Sequence, residues 1–352
     1  MTRGCTTEVL STRTKALFDA AVKRAVELLR AGEVVALPTE TVYGLAANAL
    51  DAAAVARIYE VKGRPAHNPI IVHVAGVEMA RRCVAGWPPA AARLAQSFWP
   101  GPLTLVLPRA KSIPDIVTAG GDTVGVRWPG HPFIQAVIRK CGYPLAAPSA
   151  NPSNRLSPTN AEHVRKNLGG KIPLIVDGGQ AQVGIESTVV DLTSAPLRVL
   201  RPGMIHEESL LAVVGDLQPS TFNLQPPALR SPGLLKKHYS PKAELVVLNW
   251  RDDADLRRQL SAFDFQLSQT HVITHTQIPA GNDFAAVSVI PHDAEAFARA
   301  LYAELHRCDE ARAGLIVVEA LPENAAWRAI ADRLSRAAAA AQKNLPIGRI
   351  AN

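Results

Sequence analysis

Short apolar runs alternate with stretches of helical periodicity along nearly the whole of this chain, which restricts it to an α/β fold. Between Thr14 and Ala31, Leu17, Ala21, Val22, Ala25, Leu28 and Leu29 recur at helical spacing, and Gly32 stands where a helix C-terminus favours glycine. The apolar run Val34 to Leu37 stops at Pro38. It gives way to the polar loop Thr39-Glu40-Thr41-Val42-Tyr43-Gly44, whose hydroxyls either line a pocket or cap a turn. Asp51 is placed to cap a helix reaching about Val61. Further strands are expected at Ile70 to Val74, Leu103 to Leu107, Thr123 to Pro129, Leu145 to Ala147 and Leu174 to Asp177. Helices are expected to end at Phe98 and to cover Pro132 to Cys141 and Asn160 to Leu168. Gly184-Ile185-Glu186-Ser187-Thr188 then opens a hairpin with strands near Thr188 to Leu192 and Leu197 to Leu200.

A chain of 352 residues exceeds one ordinary core and implies two domains. Periodicity fades between Leu217 and Lys242, where Pro219, Pro226, Pro227, Pro232 and Pro241 interrupt the backbone. The expected organisation is a first domain over 1–215, a proline-rich linker over 216–243 and a smaller domain over 244–352. In the last, strands near Leu245 to Leu248, His271 to Thr274, Val287 to Ile290 and Leu315 to Val318 alternate with helices near Asp253 to Ser261, Ala294 to Arg312 and Ala325 to Ala341. That pattern is Rossmann-like, but it carries no GxGxxG and is not read as a dinucleotide site. His271 and His275 share a strand face, yet without a third ligand they argue poorly for zinc.

The formal net charge of +7 is uneven along the chain. Residues 1–215 hold 23 Lys and Arg against 16 Asp and Glu, whereas residues 244–352 hold 11 against 14, so an anionic ligand is expected on the first domain. Cys5, Cys83, Cys141 and Cys308 are far apart and form no CxxC pair, which suits reduced core thiols. No signal-peptide core opens the chain and no apolar run approaches the roughly 20 residues that span a bilayer, so cytoplasmic residence without a membrane partner is expected.

Chemistry concentrates in a few loops. Lys62-Gly63-Arg64-Pro65-Ala66-His67-Asn68-Pro69 sets two cations on a backbone stiffened by Gly63 and Pro65, and reads either as a phosphate or carboxylate site or as a solvated turn. Thr123 and Arg127 lie four residues apart on one strand, hence on one face, where they could serve one ligand. Pro148-Ser149-Ala150-Asn151-Pro152-Ser153-Asn154 crowds small polar groups at a strand end, the usual place for ligands in α/β folds. Arg201-Pro202-Gly203 presents a second arginine beside a stiff neighbour. No Walker motif is present, so phosphates must be held differently from those in P-loop enzymes.

Taken together, Pro38-Thr39-Glu40-Thr41-Val42-Tyr43-Gly44-Leu45, Lys62-Gly63-Arg64-Pro65, Pro148-Ser149-Ala150-Asn151, Gly184-Ile185-Glu186-Ser187-Thr188-Val189 and Arg201-Pro202-Gly203 resemble the threonylcarbamoyl-AMP synthase family, the YrdC-like proteins. The resemblance spans residues 14–215. The signature Ser231-Pro232-Gly233 to His238-Tyr239 and the domain after it resemble the long, two-domain form, so nearly the whole chain is covered. The resemblance implies a YrdC-like twisted mixed sheet with helices around a basic cavity, followed by a smaller Rossmann-like α/β domain. It also implies synthesis of L-threonylcarbamoyl-adenylate from L-threonine, bicarbonate and ATP, with Mg2+ accompanying ATP and pyrophosphate released. The product would pass to a separate transferase complex that modifies the adenosine beside the anticodon of tRNA.

Carried over by the same resemblance, the Lys-x-Arg and Ser-x-Asn signatures fall on Lys62, Arg64, Ser149 and Asn151 as the catalytic set. ATP would be held by Arg64, Asn68, Thr123, Ser149, Ser157, Arg201 and Tyr239, and threonine by Thr41, His73, Arg127, Ala147 and Ser187, with no metal ligand assigned to a side chain. Asn154 stands where many relatives have glycine, and Leu234-Leu235-Lys236 replaces a Met-Lys-Tyr-like run; both bear on loop shape. Tyr239 and the linker are expected to form a lid that keeps water from a labile mixed anhydride. Removing Lys62 or Arg64 is expected to cost activity with little effect on folding. Two rivals stand beside this reading. A non-catalytic module binding double-stranded RNA or tRNA would scatter cations over an exposed face, and a carbamoyl-transfer domain like those of hydrogenase-maturation proteins would bring zinc-finger cysteines that this chain lacks.

Overall fold

The computed structural model describes residues 6–218 and 239–338, which divide into two units. Residues 219–238, where most of the expected linker falls, and the ends of the chain lie outside the described residues.

The first unit begins β1 (Glu8–Ser11), α1 (Lys15–Arg30), β2 (Val35–Leu37), β3 (Gly44–Asn48), α2 (Ala52–Lys62) and β4 (Val72–His73). It continues through α3 (Val77–Cys83), α4 (Pro89–Phe98), β5 (Leu103–Pro108), α5 (Asp115–Thr118), β6 (Thr123–Arg127), α6 (Pro132–Cys141) and β7 (Leu145–Ala146). After these come α7 (Ala161–Leu168), β8 (Leu174–Asp177), β9 (Thr188–Asp191), β10 (Leu197–Arg201), α8 (Glu207–Val214) and β11 (Leu217–Gln218). The strands form one 11-stranded sheet in the order β1-β8-β2-β3-β7-β4-β6-β5-β9-β10-β11. Pairing is mixed: β4 and β6 run parallel, whereas β2 with β3, β3 with β7 and β5 with β6 run antiparallel.

Strand alternation explains the layering. Along β2 and the residue before it, Val34 and Ala36 enter one apolar core while Val35 and Leu37 enter another. The first core is closed by Ala54, Val55 and Ile58 of α2 and by Leu94 of α4. The second is closed by Ala25, Leu28 and Leu29 of α1 and by Phe133, Val137 and Ile138 of α6. A sheet buried on both faces needs continuous apolar runs, which is what made β2, β5 and β8 readable.

The expected helices and strands are present among the described residues with shifts of up to three residues, and residues 339–341 of the last expected helix lie outside them. The exceptions have local reasons. Ile70 to Val74 is extended throughout, but Ile70 N–H bonds to Val117 O and Val74 N–H to Arg127 O, so only Val72–His73 join the ladder. β3 reads Gly-Leu-Ala-Ala-Asn, with little intrinsic strand preference, and exists because β2 and β7 pair with it on either side. β1, α3, α5 and α8 are short elements that the sequence reading passes over.

Among the described residues the second unit takes in residues 239–338 together with Asn154–Leu156, and Arg155 bridges Ser240 through the backbone. Its elements are β12 (Glu244–Leu248), α9 (Asp253–Leu260), β13 (Thr270–Thr274), β14 (Ala286–Val289), α10 (Ala294–Glu310), β15 (Leu315–Glu319) and α11 (Arg328–Ala338). The sheet is parallel in the order β12-β15-β13-β14, as a Rossmann-like pattern implies.

At the end of β15, Glu319 is buried and accepts hydrogen bonds from the Thr274 and Thr276 hydroxyls and from the N–H groups of His275, Thr276 and Gln277. Burial alone pushes its pKa up, but these donors override it and hold the carboxyl at about 2, below the ordinary 4.5. A carboxylate depressed on folding stabilises above its unfolded pKa, and that stability is lost as pH falls from about 4.5 towards about 2, an effect on the order of 1–2 kcal/mol once solvent screening is allowed for. Glu319→Gln is therefore expected to lower the stability of this domain by about 1–2 kcal/mol at pH 7 and to flatten its acid dependence. Urea titrations followed by Trp250 and Trp327 fluorescence read both; parent and variant unfolding at one midpoint at pH 7 would count against the assignment.

His275 Nδ1 lies 2.8 Å from His292 Nδ1 and its Nε2 lies 3.1 Å from Ala320 O, so both ring nitrogens are engaged. Among the described residues no group of three His, Cys, Asp or Glu side chains is placed to hold a metal ion. Cys83, Cys141 and Cys308 are buried free thiols, and no described helix is long and apolar enough to cross a membrane.

Candidate active site

The site is built on the loops that leave the central strands. α2 ends at Lys62 because Gly63 adopts a left-handed backbone at φ 57°, a conformation that favours glycine and turns the chain sharply into the basic loop. A solvated turn is excluded: Lys62 is 3% exposed and Arg64 8%. The Lys62 ammonium donates to Ser149 O and Asn151 O, at 2.5 Å each, so the Lys-x-Arg and Ser-x-Asn segments are tied together through one side chain. Burial, then the neighbouring Arg64 charge, hold the Lys62 pKa well below its ordinary value. An anion beside it would raise that pKa again. Arg64 donates from Nε to Asn68 O at 3.0 Å and from Nη2 to Pro69 O at 2.7 Å, which folds the loop around its guanidinium. Asn68 is fully buried, and neither its amide nitrogen nor its amide oxygen has a hydrogen-bonding partner.

Thr39 and Thr41 divide the two roles open to their loop. Thr39 Oγ1 accepts from the N–H groups of Thr41 and Val42 and donates to Val42 O, so it shapes the turn. Thr41 is buried with its hydroxyl 2.9 Å from that of Thr39. The loop is pinned by Val183 N–H to Glu40 O and by Gly184 N–H to Thr41 O.

His73 and Arg127 are direct neighbours across the parallel β4–β6 pair. Burial, then the Arg127 charge, push the His73 imidazole down to about 3, so the ring is neutral, and its buried Nδ1 has no partner. Arg127 Nη2 lies 2.7 Å from Glu40 Oε1. Burial pushes the Glu40 pKa up, but the Arg127 charge and the Gly130 N–H outweigh it and leave the carboxyl below its ordinary value. Ala147 is buried with its N–H on Ile71 O. Thr123 is half-buried at the far end of β6 from Arg127.

Ser187, just before β9, shares a 2.8 Å hydrogen bond with Thr104. Arg201 donates to Ser187 through Nε, to the carbonyl, and through Nη2, to the hydroxyl, both at 3.0 Å. This contact explains Arg201-Pro202-Gly203: a Cβ at Gly203 would lie 2.4 Å from Thr188 N, so only glycine lets the chain pass. Ser157 donates to Glu186 at 2.6 Å. Tyr239 belongs to the second unit, where its buried ring lies 5.9 Å from that of Tyr302 and 5.4 Å from the Arg333 guanidinium.

A family model for Sua5, YciO and YrdC proteins, described as telomere recombination, matches residues 27–203, and one described as threonylcarbamoyl-AMP synthase, C-terminal domain, matches residues 205–339. The threonylcarbamoyl-AMP synthase of Pyrococcus abyssi is 39% identical over 318 residues, covering 90% of this chain and 93% of that protein. This chain belongs to the threonylcarbamoyl-AMP synthase family. The corresponding protein of Bacillus subtilis is 40% identical, over 91% of this chain and 93% of its own. The crystal structure of P. abyssi Sua5 complexed with L-threonine superposes with a TM-score of 0.85 at 37% identity, covering 94% of this chain and 97% of that one.

Within the fold of this family, the structure adds residues that sequence reasoning left out. Glu40 and Glu186 sit inside the motifs quoted for the resemblance, but neither was assigned a role; a carboxylate in an apolar-flanked loop was the available signal. Thr104 is invisible in sequence because it looks like any strand residue of β5. Of the described carboxylates of the site, Glu40 pairs with Arg127 and Glu186 accepts from Ser157.

Proposed function

We propose that this chain condenses L-threonine, bicarbonate and ATP into L-threonylcarbamoyl-adenylate and pyrophosphate, with the residues carried over by resemblance as its site. The observation that supports this most is the set of buried polar groups with unused hydrogen-bonding capacity in one unit: the Asn68 amide, His73 Nδ1 and the misaligned Glu40 and Arg127 pair. Buried groups in that condition are costly unless a ligand completes them. Together with the Lys62, Arg64 and Arg201 cations they suit a substrate set that is polar, anionic and sheltered from water.

Bicarbonate gives carbon dioxide by losing hydroxide, the neutral threonine amine forms a bond to that carbon, and the proton it sheds joins the hydroxide as water, giving a carbamate. A carbamate oxygen then bonds to the α-phosphorus while the bond to the β,γ-pyrophosphate oxygen breaks. Two anions must meet for this. Lys62, Arg64 and Arg201 offset their repulsion and the charge growing on the leaving group, with Ser149, Asn151, Asn68, Thr123 and Ser157 orienting the nucleotide. Arg127 holds the threonine carboxylate in its planar fork, and Thr41, His73, Ala147 and Ser187 enclose the side chain. Mg2+ bound with ATP would supply charge neutralisation at the phosphates, and no described side chain is assigned to hold it.

In this reading residues 1–215 are the catalytic domain, 216–243 the expected linker and lid, most of it outside the described residues, and 244–352 the supporting domain of a cytoplasmic enzyme, with Tyr239 among the residues proposed for ATP. The product feeds a separate transferase that modifies tRNA beside the anticodon. Incubation of the full chain with ATP, labelled bicarbonate and threonine is expected to release pyrophosphate and yield a labelled adenylate, with reduced turnover in Tyr239→Phe. No threonine-dependent turnover by folded protein would exclude the synthase, and RNA binding without turnover would favour the non-catalytic module.

A further inference from the structure

Glu40 and Arg127 are each more than nine-tenths buried, and their closest atoms are 2.7 Å apart. The contact is an ion pair off hydrogen-bond alignment, with Arg127 Nη2 lacking an aligned acceptor, and the Gly130 N–H is the other neighbour of the Glu40 carboxylate. Arg127 Nε donates to Gly101 O at 3.3 Å, which fixes one edge of the guanidinium and leaves the other to its ligand. Gly130 lies close on one side of the Glu40 carboxylate, since a Cβ there would be 3.5 Å from it. The fold thus places one anion and one cation side by side in a dry site, each with unused hydrogen-bonding capacity. A ligand that completes both must carry both signs on neighbouring atoms. The carboxylate and ammonium of an α-amino acid, attached to a single carbon, meet that requirement.

We propose that Glu40 is a specificity-determining residue that receives the ammonium of the substrate amino acid while Arg127 takes its carboxylate, the buried pair opening by exchange of partners. The proposal rests on the placement of threonine at Arg127 given above. Exchange conserves charge: a neutral pair meets a neutral zwitterion, and one misaligned ion pair becomes two. An analogue without the ammonium leaves Glu40 buried and unmatched, and one without the carboxylate leaves Arg127 so, which rejects both.

The test is calorimetric binding of L-threonine and of 3-hydroxybutanoate, which lacks the ammonium, to the full chain and to Glu40→Gln. The parent is expected to prefer threonine by about a hundredfold, and Glu40→Gln to weaken threonine by a similar factor while changing 3-hydroxybutanoate only a few-fold, so that the preference collapses. Equal weakening of both ligands would mean that Glu40 only holds Arg127 in place, and overturns the proposal. Glu40→Gln leaves Arg127 without its counter-ion and can unfold the chain, so the parent alone also decides: 3-hydroxybutanoate bound as tightly as threonine rejects it. Arg127→Ala separates the two layers. Threonine binding unchanged in Arg127→Ala overturns the site placement and this proposal with it, whereas binding lost there but a preference retained in Glu40→Gln overturns the role of Glu40 alone.

Discussion

Valine is expected to be turned over about four orders of magnitude less well than threonine, as kcat/KM for pyrophosphate release with each amino acid. The two side chains are nearly isosteric, so volume and apolar burial discriminate weakly; the hydroxyl has to carry the difference. The proposed walls are suited to that. His73 offers a buried Nδ1 on a neutral ring, and Ser187 presents a hydroxyl oriented by Thr104 and by Arg201 Nη2. Thr41 adds a further buried hydroxyl, while Ala147 leaves room beside them. A ligand without a hydroxyl leaves such groups desolvated and unmatched, which is the arrangement that rejects strongly. Serine keeps the hydroxyl and loses only a methyl, so it is expected to be the better competitor. Equal turnover of valine and threonine would place the side-chain pocket elsewhere.

Lys62→Ala and Arg64→Ala are each expected to lower threonine-dependent turnover by about a hundredfold or more, the effect of losing one preorganised charge at a developing anion. The structure changes what accompanies this loss. Read from sequence, the loop is a stiff pair of donors whose removal leaves folding nearly intact. In the fold, the Lys62 ammonium is the partner of two backbone carbonyls, Ser149 O and Asn151 O, and Arg64 is the partner of Asn68 O and Pro69 O. Truncation therefore strands buried acceptors, with a stability loss of about 1–3 kcal/mol beside the kinetic one. Thermal melts and kinetics on the same samples separate the two. Near-normal turnover in either variant would reduce the loop to a structural element.

The strongly periodic elements were legible in the sequence because the forces that make them are local. Asp51 caps α2 with its own side chain, Gly63 ends it through a backbone conformation that favours glycine, and β2, β5 and β8 announce burial on both faces by their unbroken apolar character. The loops proposed to hold the chemistry stand out in the sequence too, because lysine, arginine, serine and asparagine crowd there among prolines and glycines. Tertiary structure alone decided the rest. β3 is a strand because of its neighbours, not its residues. Lys62 meets the Ser-x-Asn segment across 87 residues of sequence, and Glu40 meets Arg127 because the loop leaving β2 is pinned beside the end of β6. Contacts of that kind depend on strand order, and strand order depends on how two apolar cores are shared among many helices. Periodicity in a single chain reports which face is buried, not which element will cover it.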